Sequence, residues 1–256
     1  MSFSVEKVSK DTYLKLFDNV LSNTELKPAN DNVLTSEAKL VLNNDKFDFN
    51  LGMSVYENLQ KPTTDRYQFI LPYYDFSTNL FSNDRGLLNF SSSGSNDLKN
   101  TNNLRTKIVN DINFSSQDKI FYNYGNVSNF QFLLKNTNTV ANNDEQYDTR
   151  PDYNLSGMFV YSSNVPLVKQ RNNYLSTFTP KISLRVNPGN MTNNFENDRV
   201  ITANNIFDIN RLGLDDTLES GKSITYGVDY RTENLNDSNR YTELSLATVF
   251  RDVEEK

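Results

Sequence analysis

The clearest pattern in the chain is an alternation with period two. Phe47, Phe49, Leu51, Met53 and Val55 are interleaved with Asp48, Asn50, Gly52 and Ser54. Successive side chains of a strand point to opposite faces, so this segment has one apolar and one polar surface. Its length is close to the roughly 9 to 11 residues that a tilted strand needs to cross a bilayer. The apolar row of this strand is therefore read as lipid-facing.

The same pattern recurs. Ala38, Leu40 and Leu42 alternate with Glu37, Lys39 and Val41, and Tyr67, Phe69, Leu71 and Tyr73 follow a turn containing Pro62. Leu104, Thr106, Ile108, Ile112 and Phe114 oppose Arg105, Lys107, Asp111 and Asn113, while Phe130, Phe132 and Leu134 oppose Asn129, Gln131 and Lys135. Ile182, Leu184 and Val186 stand against Lys181, Ser183 and Arg185, and Ile224, Tyr226, Val228 and Tyr230 against Ser223, Thr225, Gly227 and Asp229. Leu244, Leu246 and Phe250 oppose Glu243, Ser245 and Val249. Roughly ten strands can be drawn in this way. Between them, the Asn, Asp and Ser runs 91–103, 137–154, 187–198 and 233–239 read as loops, because these residues tolerate turn geometry and bond their own backbone. Helical spacing occurs only around 10–20, where Leu14, Phe17 and Leu21 recur, though Tyr13 and Leu16 blur it.

Composition narrows the function. Hydrophobic residues make up 36% of the 256, yet aromatics reach 12%, too polar for a helical membrane protein and too aromatic for a disordered one. No apolar run approaches a spanning helix, so a membrane role would have to use strands. The chain has neither Cys nor His, which excludes disulfides, thiolate chemistry, zinc sites built on those residues and Ser-His or Cys-His nucleophiles. A formal charge of -6 disfavours nucleic acid as a partner. No signal peptide is visible at the N-terminus, where Glu6 and Lys7 interrupt any apolar core.

Several stretches resemble the family of lipopolysaccharide-assembly outer-membrane proteins, LptD or the organic-solvent-tolerance family, in the middle of its C-terminal barrel. Val8-Ser9-Lys10-Asp11-Thr12-Tyr13-Leu14 is similar to the family's V-S-D-x-x-Y-L segment, and Leu34-Thr35-Ser36 and Tyr67-Gln68-Phe69-Ile70-Leu71-Pro72 follow in the expected order. Val165-Pro166-Leu167-Val168 and 179–189, starting Thr179-Pro180-Lys181, resemble its P-L and T-P-K-x-x-L-R elements. The most specific piece is Asn205, Phe207, Asn210 and Arg211, followed by Asp216, Glu219 and Gly221, which resembles the family's N-x-F-x-x-N-R segment with its trailing acid and glycine.

The resemblance implies an all-β fold: 1–256 would be one domain, an incomplete arc of a large antiparallel transmembrane β-barrel, with the family's soluble N-terminal β domain and final barrel strands absent. It implies assembly of lipopolysaccharide into the outer leaflet of the cell outer membrane, without covalent chemistry and without a cofactor. Its partners would be lipopolysaccharide, outer-membrane lipids, the plug lipoprotein LptE and the periplasmic bridge protein LptA. No lateral-gate residue can be carried over, because the seam strands have no counterpart here. The reading from a different class is a soluble or surface-exposed all-β binding module, adhesin-like, whose aromatics form a core or a glycan platform.

Other motifs favour bland readings. Ser220-Gly221-Lys222-Ser223 lacks the earlier glycine of a phosphate loop and precedes a strand pattern. Asp215, Asp216 and Glu219 read as a solvated turn, and the Asn- and Asp-rich run 142–152 lacks the ligand spacing of a calcium loop. Arg211 has two readings: a partner of Asp216 or Glu219 that fixes the rim, or a lumen-facing cation that touches phosphates of a passing lipid.

Overall fold

The structure is a computed structural model, and it describes residues 1–17, 30–121, 125–189 and 201–252. Its elements are, in order, β1 (Ser2–Ser4), α1 (Tyr13–Leu16), β2 (Val33–Asn43), β3 (Phe47–Asn58), β4 (Tyr67–Asn83), β5 (Gly86–Lys99), β6 (Asn103–Ser116) and β7 (Lys119–Phe121). There follow β8 (Asn126–Asn142), β9 (Asp152–Asn164), β10 (Leu167–Arg171), β11 (Tyr174–Asn187), β12 (Gly221–Asn234) and β13 (Asp237–Arg251). All thirteen strands belong to one antiparallel sheet, in which chain neighbours are sheet neighbours. β7 continues β6 along β8, and β10 continues β9 along β11. Among the described residues β1 and β13 end the strand order, so the sheet is not closed into a barrel.

Because the strands run up and down, successive connections fall at alternate ends. At one end they are short, at 44–46, 84–85, 122–125, 172–173 and 235–236. At the other they lie at 59–66, 100–102, 143–151 and 188–220, the last being by far the longest. Asn residues make the short turns: Asn44 Oδ1 accepts from the backbone N–H of Lys46 and Phe47 at 2.8 and 2.9 Å, and Asn172 adopts a positive φ of 52°.

Three expectations need correction. The run 91–103 is not a loop, since Ser91 to Lys99 belong to β5; likewise 137–142 complete β8, 152–154 open β9, and only the centre of the 233–239 run is a turn. Residues 190–198 of the fourth expected loop lie outside the described residues. Strand propensity is a matter of fit to neighbours, and here small polar side chains are satisfied across the sheet. Tyr74 Oη bonds Ser92 Oγ at 3.1 Å, and Ser92 Oγ donates to Asn110 Oδ1 at 2.8 Å. Second, Tyr73 does not share a face with Phe69. The register slips by one residue at Leu71-Pro72, where a bulge puts Phe69 opposite Val55 but Tyr73 opposite Gly52. Third, the helix is one turn, Tyr13–Leu16, and 18–20 lie outside the described residues.

The chain forms two compact units. The first comprises 1–78, 91–110 and 137–154. In it, Leu14 of α1 packs with Leu34, Leu59 and Val8. On β2 and β3 the expected lipid-facing residues Phe49, Leu51 and Met53 pair with Leu42, Leu40 and Ala38, and Phe47 and Val55 continue that row. On the opposite face Tyr73 lies over Gly52, and its hydroxyl donates to Glu37 Oε1 at 2.5 Å.

The second unit comprises 79–90, 111–136 and 155–256. Phe81, Phe114, Phe130 and Phe159 touch in sequence, with ring centroids 6.2, 5.7 and 6.1 Å apart. These four rings form a row across β4, β6, β8 and β9, set toward the short-turn ends of β4, β6 and β8.

Gly52→Ala would drive a methyl group into the Tyr73 ring, expelling the ring and its bond to Glu37. We expect a loss of roughly 1–3 kcal/mol in denaturant unfolding. In a Tyr73→Ala background the same substitution becomes near neutral, and an equal loss in both backgrounds would contradict the ring-over-glycine contact.

Candidate functional site

The connection between β11 and β12 contains the densest buried chemistry of the second unit. Its described part, 201–220, is not a solvated loop: Ile206, Arg211, Leu214, Thr217, Leu218 and Glu219 are all buried. Local hydrogen bonds shape it. Asn205 Oδ1 accepts from the Thr202 N–H at 2.8 Å and the Asn205 carbonyl from the Asp208 N–H at 2.9 Å. Asn210 Nδ2 donates to the Leu214 carbonyl at 2.6 Å across a turn whose Gly213 has a φ of +65°. Gly221, with a φ of +85°, ends the segment and starts β12.

Four contacts fasten this segment to the covered face of the strands. Phe207 sits on Gly227 of β12, where a Cβ would come within 2.7 Å of the ring, and the Lys181 ammonium of β11 lies 5.6 Å from the ring centroid. Lys181 is in turn ion-paired with Asp229. Leu218 and Ile209 pack against Leu133, Met158 and Val160 of β8 and β9. The Asp215 carbonyl accepts from the Lys135 Nζ at 2.6 Å, and the same ammonium pairs with Asp111 at 2.8 Å.

The fourth fastening is ionic. Arg211 is fully buried and grips Glu219 bidentately, its Nε at 2.6 Å from Oε2 and its Nη2 on Oε1. Arg185 of β11 donates from Nη1 to Glu219 Oε2 at 3.2 Å and from Nη2 to the Asp208 carbonyl. Arg251 of β13 brings its Nε to 3.2 Å from Oε1. Asn187 Nδ2 donates to the Glu219 carbonyl at 2.9 Å, and Arg211 also donates to Thr225 Oγ1 and Ser223 Oγ, each at 3.3 Å. Burial alone would raise the Glu219 pKa, but hydrogen bonding by Arg211 and the charges of Arg211, Arg251 and Arg185 outweigh it and hold the carboxyl below its ordinary range.

The motif residues Asn205, Phe207, Asn210, Arg211, Glu219 and Gly221 thus converge on one structure, in which Glu219 is gripped by Arg211. The sequence reading of Glu219 as a solvated turn residue is wrong: it is 4% exposed. Sequence reasoning missed Arg185, Asn187, Thr225 and Arg251 as members of the site. A signal was present, since Ser183, Arg185 and Asn187 make one uninterrupted polar row opposite Leu184 and Val186.

The acidic run expected as a loop bonds both within itself and to the 102–105 region. Asp144 accepts from the Gln146 and Tyr147 N–H groups and pairs with Arg105, which stacks on Tyr147. Burial opposes its ionisation, yet those donors lower its pKa. Among the described residues no group of three or more acidic side chains is arranged to hold a metal ion.

Known proteins do not identify the chain. It matches no family model and no curated protein. What it can do therefore rests on its own geometry: a face rich in hydroxyls, amides and cations, closed by a segment that brings its own carboxylate. That arrangement encloses polar and charged groups and pairs them with one another.

Glu219→Gln should cost about 3–5 kcal/mol near neutral pH, because it leaves buried arginines without their anion. The pH profile has a definite sign. A folded-state pKa below the unfolded one means the ionic contribution is present above the ordinary value near 4.5 and is lost as pH falls through the folded value. Wild type should therefore approach the variant in stability below that range, as measured by circular dichroism in denaturant. A difference that stays constant down to pH 3 would rule out the ion cluster as its source.

Proposed function

We propose that this chain is part of an outer-membrane β-barrel that carries lipopolysaccharide to the outer leaflet, as a conduit rather than an enzyme. The observation that carries the membrane part is the polarity of the sheet in the second unit. On β9, β11, β12 and β13, strand register places Phe159, Tyr161, Leu184, Val186, Ile224, Tyr226, Leu246 and Phe250 on one face. That face is open: Leu184 is 43% exposed, Leu246 58% and Phe250 61%. The opposite face carries Ser183, Arg185, Asn187, Ser223 and Thr225, and it is the covered one.

A soluble antiparallel sheet has the reverse arrangement, with its apolar face packed on a core and its polar face in water. An extended apolar surface of this kind needs a nonaqueous neighbour. A bilayer supplies it, and the two ends of the sheet match that setting. Turns of two to four residues occupy one end, the connections at the other are longer except for 100–102, and the row of Phe rings lies near the short-turn end, where a barrel carries an aromatic girdle.

Lipopolysaccharide as the cargo is supported by the resemblance of the 205–221 segment to the lipopolysaccharide-assembly family. In this reading, acyl chains stay with the apolar exterior while the sugar-phosphate head meets the polar face.

Two measurements test the proposal. Leu246→Arg should lower the stability of the membrane-inserted form by about 2–4 kcal/mol if the residue lies near mid-bilayer; in a soluble adhesin-like module, an arginine at an exposed site would be harmless. Depletion in the native host should stop newly made lipopolysaccharide from reaching the cell surface while it accumulates inside. A folded protein that stays in plain buffer after cell lysis would sink the membrane reading, and normal surface lipopolysaccharide after depletion would sink the cargo.

A further inference from the structure

We propose that segment 201–220 is a removable strap, and that the strand groups beneath it form a binding site for a phosphate group in which Glu219 is the resident substitute. The inference rests on the membrane reading only for the source of that phosphate.

The argument begins with which groups need the strap. Lys135 and Lys181 have acids on the strands themselves, Asp111 and Asp229. Arg185 differs, for among the described residues its ion pair is with Glu219 and its other bond is to the Asp208 carbonyl, both on the strap. Asn187 likewise donates to the Glu219 carbonyl. Arg251 reaches the same carboxylate from β13. Strand-borne donors thus end on acceptors supplied by one segment that is not itself part of the sheet.

If the strap withdraws, it takes Glu219 and its partner Arg211 together, since they are bound to each other. Arg185, Arg251 and Asn187 then lose acceptors, and the hydroxyls of Ser223 and Thr225 lose the Arg211 guanidinium. The uncovered floor then gathers the Arg185 and Arg251 guanidiniums, the Asn187 amide and two hydroxyls on one patch, which favours a ligand that offers several acceptor oxygens and negative charge. A phosphate does so with the oxygen spacing that a carboxylate offers to a guanidinium and with greater charge. The strap's own seat is replaceable: a ring on a glycine, the Leu218 and Ile209 contact, the Lys135 bond to the Asp215 carbonyl and the ionic grip.

The chain has no cysteine, so a single introduced thiol reports on the strap. Val160 faces Arg185 in register and packs in the cluster that includes Leu218, so Val160→Cys puts a thiol beneath it. In detergent-solubilised protein, a water-soluble maleimide should label this thiol slowly. Glu219→Gln should speed labelling roughly tenfold or more by shifting the strap toward its open state. Phe207→Ala, which empties the seat on Gly227, should do the same. Strand content should be unchanged, and labelling of Leu184→Cys on the other face should not respond.

With Glu219 intact, inorganic phosphate at constant ionic strength should speed labelling, because an anion that takes the place of the carboxylate holds the strap open, and Arg185→Gln should abolish that response. Acceleration by phosphatidic acid in the micelle but not by inorganic phosphate would assign the site to a lipid headgroup; acceleration by both would show that the phosphate group suffices. Labelling that neither strap variant accelerates overturns the strap, and labelling that responds to neither phosphate source overturns the anion site. Because the assay needs no bilayer, it gives its answer even if the membrane reading fails.

Discussion

A carboxylate that is withdrawn from water must find cations and donors, and Glu219 finds them on elements far apart in sequence. Arg211 comes from its own segment, Arg185 from β11 and Arg251 from β13. This demand accounts for the course of the segment more than its few apolar residues do. Ile206, Leu214 and Leu218 supply burial, but greasy side chains could be buried in many poses. The bidentate grip of Arg211 and the amide of Asn187 on the Glu219 carbonyl admit one. The apolar contacts supply the attraction, and the charges supply the register.

The same division of labour runs through the sheet. Apart from the short β7 and β10, which pair with β8 and β11, strands that follow one another along the chain lie side by side, and the antiparallel order follows from that connectivity. Polarity then separates by face. Period two means that Arg185 cannot turn inward without sending Leu184 and Val186 outward, and their register partners Tyr161, Phe159 and Ile224 follow. A polar covered face and an apolar open face are thus a single decision, taken once per strand and kept consistent by pairing. In these strands of the second unit, turning Arg185 and Asn187 to the covered side turns Leu184 and Val186 to the open one.

How much of this was legible in the sequence depended on which forces carried each element. Strands with strong alternation, such as 47–55, 182–186 and 223–230, are visible because a single residue property repeats. β5 is not, because Gly86–Lys99 holds together through Ser92, Asn96 and Gly94, whose partners are on β4 and β6, and a residue that is a turn former alone is a strand residue beside Tyr74 and Asn110. The bulge at Leu71-Pro72 is likewise invisible to a count of alternating residues, yet it turns Tyr73 onto the face of Glu37. In the candidate site, proximity in sequence suggested the pair Arg211 and Glu219 among its possibilities. Arg185, Asn187 and Arg251 were hidden because only the pairing of β11 with β12 and of β12 with β13 brings them to the same carboxylate.

An ion cluster of this kind is a weak source of net stability, because the cost of drying the charges offsets much of their attraction. Leucines in the places of Arg185, Arg211 and Glu219 would hold the segment by apolar packing, and they would hold it without any dependence on charge. The ionic arrangement gains something else: it can be replaced by a competing anion, which no apolar cluster permits. Segment 201–220 combines its apolar contacts, Leu218 and Ile209 against Leu133, Met158 and Val160 and the Phe207 ring on Gly227, with the ionic grip, so that part of its hold depends on charge. A fastening meant only to be permanent would put the weight on packing. One that puts the weight on a carboxylate shared by strand-borne arginines is suited to exchange with a ligand that carries the same oxygens and more charge.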